Sequence, residues 1–302
     1  MTVSELAGRL EERVSGRVQV HASLAPFTTF RVGGPADVLV EAESESDLLV
    51  VAEAAGKGPL AIVGRGSNLL VADDGFRGVA VRLGRGFRFH EQDDGGLRLG
   101  GAVYLPAAAR LTARLGLTGF EFVAEIPATF GGAVRMNAGA HERSMADVLT
   151  TTTVIELATG DRRRLDVADL EYSYRHSSLR RTDVVTEGNV RLAGDDPKEV
   201  GRRIAAHLRW RRENQPPGRS AGSVFKNPPG DSAGRLIDSV GGKELRVGGA
   251  AVSDVHANFI VAGSDATATD VWSLIRRVHD RVLEATGVDL EPEVRFLGSF
   301  GA

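Results

Sequence analysis

The sequence contains no cysteine. This absence excludes disulfides, thiolate metal ligands and cysteine nucleophiles, and it predicts a reducing cytoplasm as the compartment. No apolar run approaches the roughly 18 residues that a membrane-spanning helix needs. The opening stretch "MTVSELAGRLEERV" carries charges in every turn, so it predicts an amphipathic helix and not a signal peptide.

The chain also lacks an excess of charge of either sign. Its 37 basic and 40 acidic residues give a formal net charge of -3, which argues against a general nucleic-acid or anionic-membrane surface. No obligate protein partner is indicated either, and any anionic ligand must be bound locally. With 302 residues, 42% apolar and 25% charged, the chain has the composition of a globular protein of two or three domains.

Short β-rich runs alternate with helical patterns in the first half of the sequence. The run "ADVLVEA" precedes the helical "SESDLLVVAEAAG", and "LAIVGRGSNLLVA" and "GVAVRL" follow as β-rich runs. This βαββ-like order predicts a small α+β lobe over residues 1–83.

A second α+β set follows over residues 84–213. It contains the β-rich "GLRLGGAVY", a helix in "LPAAARLTARLG", a loop-rich stretch at 126–141, and a hairpin whose turn is "TGD". The long helix "DPKEVGRRIAAHLRWRREN" must end at "QPPG", because two prolines followed by glycine cannot continue a helix. Residues 214–302 are therefore predicted to form a third domain, with two helices and the strands "NFIVAG" and "EVRFLG".

Two glycine loops are the candidate ligand sites. "GRGSNLL" (64–70) follows a β-rich run and offers backbone N–H groups and a hydroxyl that can cradle a phosphate. It lacks the Gly-Lys-Ser/Thr end of a P-loop and the third glycine of a dinucleotide fingerprint, so an ordinary glycine turn is the alternative. "IPATFGGAVRMNAGAH" (126–141) is rich in small residues. One such loop in each lobe suggests a long ligand, such as a dinucleotide, lying between them.

Seven short motifs are distributed along nearly the whole chain: "TTFRVGGPA" (28–36), "GRGSNLLV" (64–71), "IPATFGGAVRMNAGA" (126–140), "YSYRHS" (172–177), "AGSVFKNP" (221–228), "HANFIV" (256–261) and "LEPEVRFLG" (290–298). In this order they resemble the family of UDP-N-acetylenolpyruvoylglucosamine reductases (MurB). The resemblance implies an α+β fold with two subdomains that bind FAD and a C-terminal α+β domain that binds substrate. It also implies NADPH-dependent reduction of an enolpyruvyl ether on a UDP-sugar during peptidoglycan synthesis.

The resemblance further assigns site residues. It implies that NADPH is the hydride donor, and the two glycine loops and the missing cysteine predict that FAD is bound without a covalent link. Catalytic roles fall on Arg175, Ser223 and Glu293, with substrate contacts from Tyr174, Asn227 and Lys226, the last of which could instead serve NADPH. The implied flavin contacts are Gly64, Gly66, Ser67, Asn68, Leu69, Ile126, Pro127, Gly131, Gly132, Asn137, Ala138 and Arg295.

Three interpretations compete for Ser223. A nucleophile needs a nearby base, and no Gly-x-Ser-x-Gly elbow is present. A structural hydroxyl could satisfy a turn N–H in "SAGSVF". The family implies a proton donor, and the chemistry allows it: hydride addition to an enolpyruvyl group leaves a carbon basic enough to take a proton from a hydroxyl.

Arg175 and Glu293 also have ordinary alternatives. Arginine can bind a carboxylate bidentately, but most arginines form surface ion pairs. Glu293 could pair with Arg295, whereas the family implies that it assists an enolate, which requires protonation or a bridging hydrogen bond. Glu291 matches the motif less well than Glu293 does.

Two departures from the family pattern are visible. Ala128 stands where many relatives have glycine. Residues 176–222, between Arg175 and Ser223, number 47, too few for the extra tyrosine loop of one subgroup, so the chain resembles the shorter subgroup. His141, His256 and His279 lack metal-ligand spacing, and no metal site is predicted. Another flavin-dependent oxidase or dehydrogenase of the same fold, and a catalytically silent sugar-nucleotide binding protein, remain alternative functions.

Overall fold

The computed structural model describes residues 2–93 and 95–301, which form two compact units. Each unit combines helices and β-sheet, and the predicted α+β class is confirmed. Unit 1 contains the described residues of Met1–His21, Asp37–Arg65 and Gly78–Arg211, and unit 2 those of Ala22–Ala36, Gly66–Arg77 and Arg212–Ala302. Both units are discontinuous in sequence, and the contiguous division at 83/84 and 213/214 stays a prediction.

The six predicted helices are present in the structure. Helix α5 ends at Asn214, directly before "QPPG", as the two prolines require. Throughout the described stretches every helix is too short or too polar to span a lipid bilayer. The α-helices of these stretches are α1 (Val3–Glu11), α2 (Glu45–Ala55), α3 (Leu105–Leu115), α4 (Phe130–Met136), α5 (Pro197–Asn214), α6 (Ala233–Ser239) and α7 (Ala268–Thr286).

Two larger sheets support unit 1. The first has the strand order β1-β2-β5-β3 and the second the order β12-β11-β13-β7-β6. Strands β11 and β12 form the predicted "TGD" hairpin, which is confirmed. The strands are β1 (Arg17–Ser23), β2 (Pro35–Ala42), β3 (Leu60–Ile62), β5 (Phe76–Leu83), β6 (His90–Asp93), β7 (Gly96–Gly100), β11 (Leu149–Glu156), β12 (Arg162–Asp166) and β13 (Asp183–Arg191).

Short strands complete both units. In unit 1, β8 (Leu117–Thr118) pairs with β14 (Ala193–Gly194), and β9 (Gly139–Ala140) pairs with β10 (Arg143–Ser144). Unit 2 has a sheet of the order β15-β16-β17 and a parallel pair of β4 with β18. The strands of unit 2 are β4 (Leu69–Val71), β15 (Arg246–Val247), β16 (Ala250–Val252), β17 (Ile260–Ala262) and β18 (Arg295–Leu297).

Helix α7 shows how the sequence builds the core of unit 2. Thr267 caps its N-terminus in a reciprocal capping box with Asp270, and Gly287 ends it in a left-handed conformation at φ 71°. Its apolar residues recur at helical spacing and are buried in one cluster with β16 and β17. Unit 1 has two apolar clusters, one around the five-stranded sheet and one around β2, β5 and α2.

Two features of the fold differ from the sequence-based predictions. The stretch 126–141, predicted to be loop-rich, contains helix α4, whose first turn is capped by the Thr129 hydroxyl. Strand β13 was not predicted, although it lies at the centre of the five-stranded sheet. Its sequence "DVVTEGNVR" mixes apolar residues with a glycine and charges, which hides the alternation of a strand.

Candidate functional site

A cavity of about 470 Å³ lies in unit 1 and is lined by residues from both glycine loops. Gly64 follows β3, and Gly131 and Gly132 belong to α4. All three line the cavity, whereas Ile126, Pro127, Asn137 and Ala138 are not among its lining residues. The structure thus brings together one part of the predicted flavin-contact residues of unit 1.

A side chain would be crowded at two of these glycines. A Cβ on Gly64 would lie 2.9 Å from the Thr129 hydroxyl oxygen, and one on Gly131 would lie 3.1 Å from the Val185 carbonyl oxygen. These distances are at or below the lower limit of ordinary Cβ contacts. The backbone can therefore line the cavity directly at these positions, as close approach to a ligand requires.

The cavity is strongly cationic. Five arginines line it, Arg65, Arg82, Arg88, Arg114 and Arg135. The guanidinium carbon of Arg65 lies 4.6 Å from the centre of the Tyr104 ring, which holds it by a cation–π contact. Guanidinium groups bind phosphate oxygens bidentately, so the lining fits the pyrophosphate of a dinucleotide.

Among the described residues that line this cavity, Asp183 is the one with a carboxylate side chain. Its side chain is 1% exposed and lies 2.5 Å from the Arg163 guanidinium. The Arg180 backbone N–H donates to its other oxygen at 2.8 Å. Because this carboxylate is already paired, it leaves the positive character of the cavity largely intact.

Asn137 has a structural task in unit 1. It ends α4 in a left-handed conformation at φ 42°. Its side-chain amide donates to the Ser173 carbonyl at 3.0 Å and its side-chain oxygen accepts from the Ala146 N–H at 3.0 Å. Both polar atoms of the predicted flavin contact are thus engaged with the backbone, and the Ser173 contact places the segment before Arg175.

Tyr174 and Arg175 form the centre of a tight turn in unit 1. Ser173 and His176 exchange backbone hydrogen bonds at 3.2 and 3.3 Å, and Arg175 adopts φ 56°, a conformation that favours glycine. The Arg175 guanidinium carbon lies 5.4 Å from the Tyr174 ring centre. Strained backbone of this kind concentrates at functional sites, because the surrounding structure must hold it in place.

Ser223 and Glu293 belong to segments of unit 2 that are joined through their backbones. Ser223 forms an isolated bridge with Phe259. The next residue, Val224, accepts the Glu293 N–H at 2.7 Å. Asn68 adds a second link, because its side-chain amide donates to the Glu293 carbonyl at 2.9 Å. Ser223 and Glu293 are both half-buried.

The remaining predicted residues of unit 2 surround these segments. The Arg295 N–H donates to the Asn68 carbonyl at 2.9 Å, and Leu69 pairs with Arg295 in the β4–β18 ladder. Lys226 Nζ lies 2.7 Å from Glu291 Oε1, so Glu291 has a partner that does not involve Glu293. The Asn227 side-chain oxygen accepts from the Ala233 N–H at 3.0 Å and helps to begin α6.

Gly66 meets a packing requirement in addition to its predicted contact with the flavin. It is buried, with φ 57°, and a Cβ here would lie 2.4 Å from the Phe27 carbonyl oxygen and 2.7 Å from the Thr28 Cα. These contacts lie inside unit 2. They require glycine for packing within the protein, whether or not a ligand approaches. Ser67 next to it is half-buried and stays a predicted flavin contact.

Asn258 is a structural residue next to the Ser223 segment that the sequence reasoning missed. Its side chain is almost fully buried and binds the Phe225 backbone twice, by donating to its carbonyl at 2.8 Å and accepting from its N–H at 2.9 Å. The Val224 N–H also donates to the Asn258 carbonyl at 2.8 Å. Asn258 lies in the quoted "HANFIV", and a polar residue inside that apolar run was the available signal.

Comparison with known proteins first defines the class. Residues 36–166 match the model of an FAD binding domain. The fold is also similar to that of a berberine bridge enzyme-like protein from Physcomitrella patens, with TM-score 0.57 at 12% identity, over 95% of this chain and 90% of that one. The class is therefore that of the FAD-binding α+β flavoproteins.

Residues 213–297 match the model of the UDP-N-acetylenolpyruvoylglucosamine reductase C-terminal domain. The reductase of Heliobacterium modesticaldum is 44% identical over 92% of this chain and 90% of its own length, and that of Moorella thermoacetica is 42% identical over 99% of both. The crystal structure of the Thermus caldophilus reductase (MurB) has TM-score 0.83 and 39% identity over 94% of this chain and all of that one. The chain belongs to the UDP-N-acetylenolpyruvoylglucosamine reductase family.

Within residues 2–93 and 95–301, no cluster of three or more His, Asp or Glu side chains is arranged to hold a metal ion. His279 is instead held between two carboxylates, Asp280 and Asp289, each 2.8 Å from one ring nitrogen. Hydrogen bonding, first to Asp280 and then to Asp289, raises the pKa of His279. The roles assigned to individual site residues remain predictions.

Proposed function

We propose that the chain catalyses the NADPH-dependent reduction of UDP-N-acetylglucosamine enolpyruvate to UDP-N-acetylmuramate in the cytoplasm, as a step of peptidoglycan precursor synthesis. The observation that carries this proposal is the hydrogen bond of the Glu293 backbone to Val224, directly after Ser223. It lies in the segment that matches the reductase C-terminal domain. NADPH and the UDP-sugar are the two substrates.

The cationic cavity of unit 1 is the proposed place for FAD. Arg65, Arg88 and Arg114 would face the pyrophosphate, and the backbone at Gly64 and Gly131 leaves room for close approach. Bound FAD supplies the chemistry of carrying a hydride from NADPH to the methylene carbon of the enolpyruvyl group. Attachment through cysteine is excluded by composition, and the proposal is that FAD is held without a covalent bond.

The chain's own side chains complete the reduction. Hydride at the methylene carbon leaves negative charge on the neighbouring carbon, delocalised into the substrate carboxylate. The Arg175 guanidinium binds that carboxylate with a geometry that lysine cannot reproduce. The Ser223 hydroxyl donates its proton to the neighbouring carbon, which yields the lactyl ether. Glu293 assists as the protonated acid or through a bridging hydrogen bond, because a bare carboxylate would repel the charge.

A spectrum followed by a turnover assay tests the proposal. The purified chain should show flavin absorbance, NADPH should bleach it, and the UDP-enolpyruvyl sugar should accelerate NADPH oxidation. Absence of flavin, or a rate of NADPH oxidation that does not change when the UDP-enolpyruvyl sugar is added, would contradict the proposed reaction. A flavin that precipitates with the protein in acid would favour a covalent oxidase of the same fold.

A further inference from the structure

The segment after α4 contains a strained hairpin turn. Strands β9 and β10 pair through Ala140↔Arg143 and Gly139↔Ser144. His141 and Glu142 are therefore the two turn residues, and both are left-handed, at φ 51° and 60°. Such turns strongly prefer Asn-Gly. A His-Glu pair at this place persists only if contacts elsewhere hold it.

The contacts that hold the turn are made by the His141 ring. Its Nε2 lies 3.1 Å from Oε1 of Glu125, a side chain that is 5% exposed. The ring also contacts the His207 ring, tilted by 49° with 3.9 Å between centroids, and meets the Trp210 ring edge-on at 5.2 Å. His141 thus closes onto a buried acid and onto two aromatic rings of α5.

Glu125 depends on this contact. Burial raises the pKa of the Glu125 carboxyl, and its Oε2 is buried with no hydrogen-bond partner among the described residues. The Arg211 guanidinium donates its hydrogen bond to the Glu125 backbone carbonyl and acts on the carboxylate through its charge. The neighbouring Glu121 is already paired with Arg203 at 2.9 Å. His141 is therefore the side chain that satisfies Glu125 in the described part of the chain.

The two partners lie at the two ends of one functional stretch. Glu125 directly precedes Ile126, and His141 directly follows Ala140, so their contact closes the stretch 126–140 into a loop. Backbone hydrogen bonds from Phe130 to Val103 and from Gly131 to Gly101 fix the middle of this loop. The His141–Glu125 contact fixes its ends, where Ile126, Pro127 and Ala138 are predicted to meet the flavin.

We propose that His141 and Glu125 are positioning residues that clasp the loop 126–140 and thereby increase its affinity for FAD. This inference rests on the proposed function for the identity of the ligand. The gain follows from preorganisation, because a loop held in its bound conformation loses less entropy on binding. Neither residue needs to contact FAD.

Four variants of the full chain as purified test the clasp. His141→Asn tolerates the left-handed turn but removes the ring, and Glu125→Leu removes the acceptor at similar volume. Each should raise the FAD dissociation constant about tenfold, the size expected for losing one hydrogen bond to a charged group. The double variant should cost no more than either single change. Glu125→Gln keeps an acceptor oxygen and should stay within about twofold of the unchanged chain.

Glu142→Gly is the matched control. It relaxes the same turn without touching the clasp, so FAD affinity should not change. Hydrogen exchange of the amides of 126–140 provides a second readout that needs no bound FAD: it should accelerate in His141→Asn and not in Glu142→Gly.

Three results would overturn the clasp: unchanged exchange in His141→Asn, accelerated exchange with unchanged FAD affinity, or additive effects in the double variant. Failure of the proposed function is distinguishable from these results. In that case the wild-type protein itself would lack flavin, or its NADPH oxidation would not respond to the UDP-enolpyruvyl sugar.

Discussion

The backbone N–H of Glu293 donates to the carbonyl oxygen of Val224 at 2.7 Å. This bond joins the segment before β18 to the residue that follows Ser223. A hydrogen bond between two backbones does not depend on the side chain of either residue. Substitutions of the Ser223 or Glu293 side chains should therefore report on chemistry more than on the placement of these segments.

Replacing Ser223 with alanine should separate the two half-reactions. NADPH reduces FAD without forming an enolate, so bleaching of the flavin should be nearly unchanged. Reoxidation by the UDP-enolpyruvyl sugar should become very slow, because the proton donor is missing, and Ser223→Cys should restore part of the rate. Stopped-flow absorbance of the flavin measures both phases.

Ser232→Ala is a suitable control for the serine experiment. It removes a hydroxyl from the same unit, where it caps α6, and should cost about 1 kcal/mol of stability while sparing both phases. Equal slowing of both phases in Ser223→Ala would mean a disturbed flavin site. An unchanged rate of flavin reoxidation would mean that the Ser223 hydroxyl has only a structural role.

Arg175→Lys should lower turnover about 10²–10³-fold although the charge is kept, because a preorganised bidentate donor is lost. Steady-state kinetics with saturating substrate measures the loss. Arg235→Lys supplies the comparison, since Arg235 is 62% exposed in a surface pair with Asp231 and should change turnover little. Similar behaviour of the two variants would make Arg175 an ordinary surface arginine.

Gly66→Ala should destabilise the protein by about 1–3 kcal/mol, because the new Cβ meets the Phe27 and Thr28 backbone at a left-handed position. Urea unfolding should show this loss with and without FAD. Gly230→Ala has a similar φ of 77° but open space around its Cβ, so it isolates the cost of backbone strain. A stable Gly66→Ala protein that loses only its flavin would contradict the packing explanation and support direct contact with the ligand.

Asn258→Ala should cost about 1–3 kcal/mol for each of the two Phe225 backbone groups that it leaves buried and unsatisfied. Thermal or urea unfolding measures the loss. Asn227→Ala removes one part-buried hydrogen bond, from the Ala233 N–H, and should cost less because it leaves only one backbone group without its partner. Equal effects of the two variants would contradict a special role of Asn258 in holding the segment that follows Ser223.

Stability should depend on the protonation of His279. Hydrogen bonds to Asp280 and Asp289 raise its pKa in the folded state above the ordinary 6.5. The charged form therefore stabilises the folded protein fully below the ordinary pKa, and this contribution disappears as the pH rises through the raised pKa. The unfolding free-energy difference between the unchanged chain and His279→Gln should be larger at about pH 5.5 than at about pH 9. A difference that is independent of pH would contradict this linkage.

Local chemistry determined much of what could be predicted from the sequence. Three features each depend on a few consecutive residues: the "TGD" turn, the end of α5 at "QPPG" and the capping box of α7. The local sequence is therefore sufficient to specify them. The seven ordered motifs likewise indicated the family, because their order is a property of the chain. The α+β class follows from the alternation of the two periodicities.

Tertiary contacts decided the remainder. Strand β4 pairs with β18 across most of the chain length, and no local pattern specifies a partner so distant in sequence. Helix α4 has only 7 residues and two glycines, too few for stability alone, and it persists through its Thr129 cap and the Tyr172 hydroxyl bound to the Val134 carbonyl. The contact between His141 and Glu125 is also a tertiary feature. It depends on how α4, the β9–β10 hairpin and α5 are placed relative to one another.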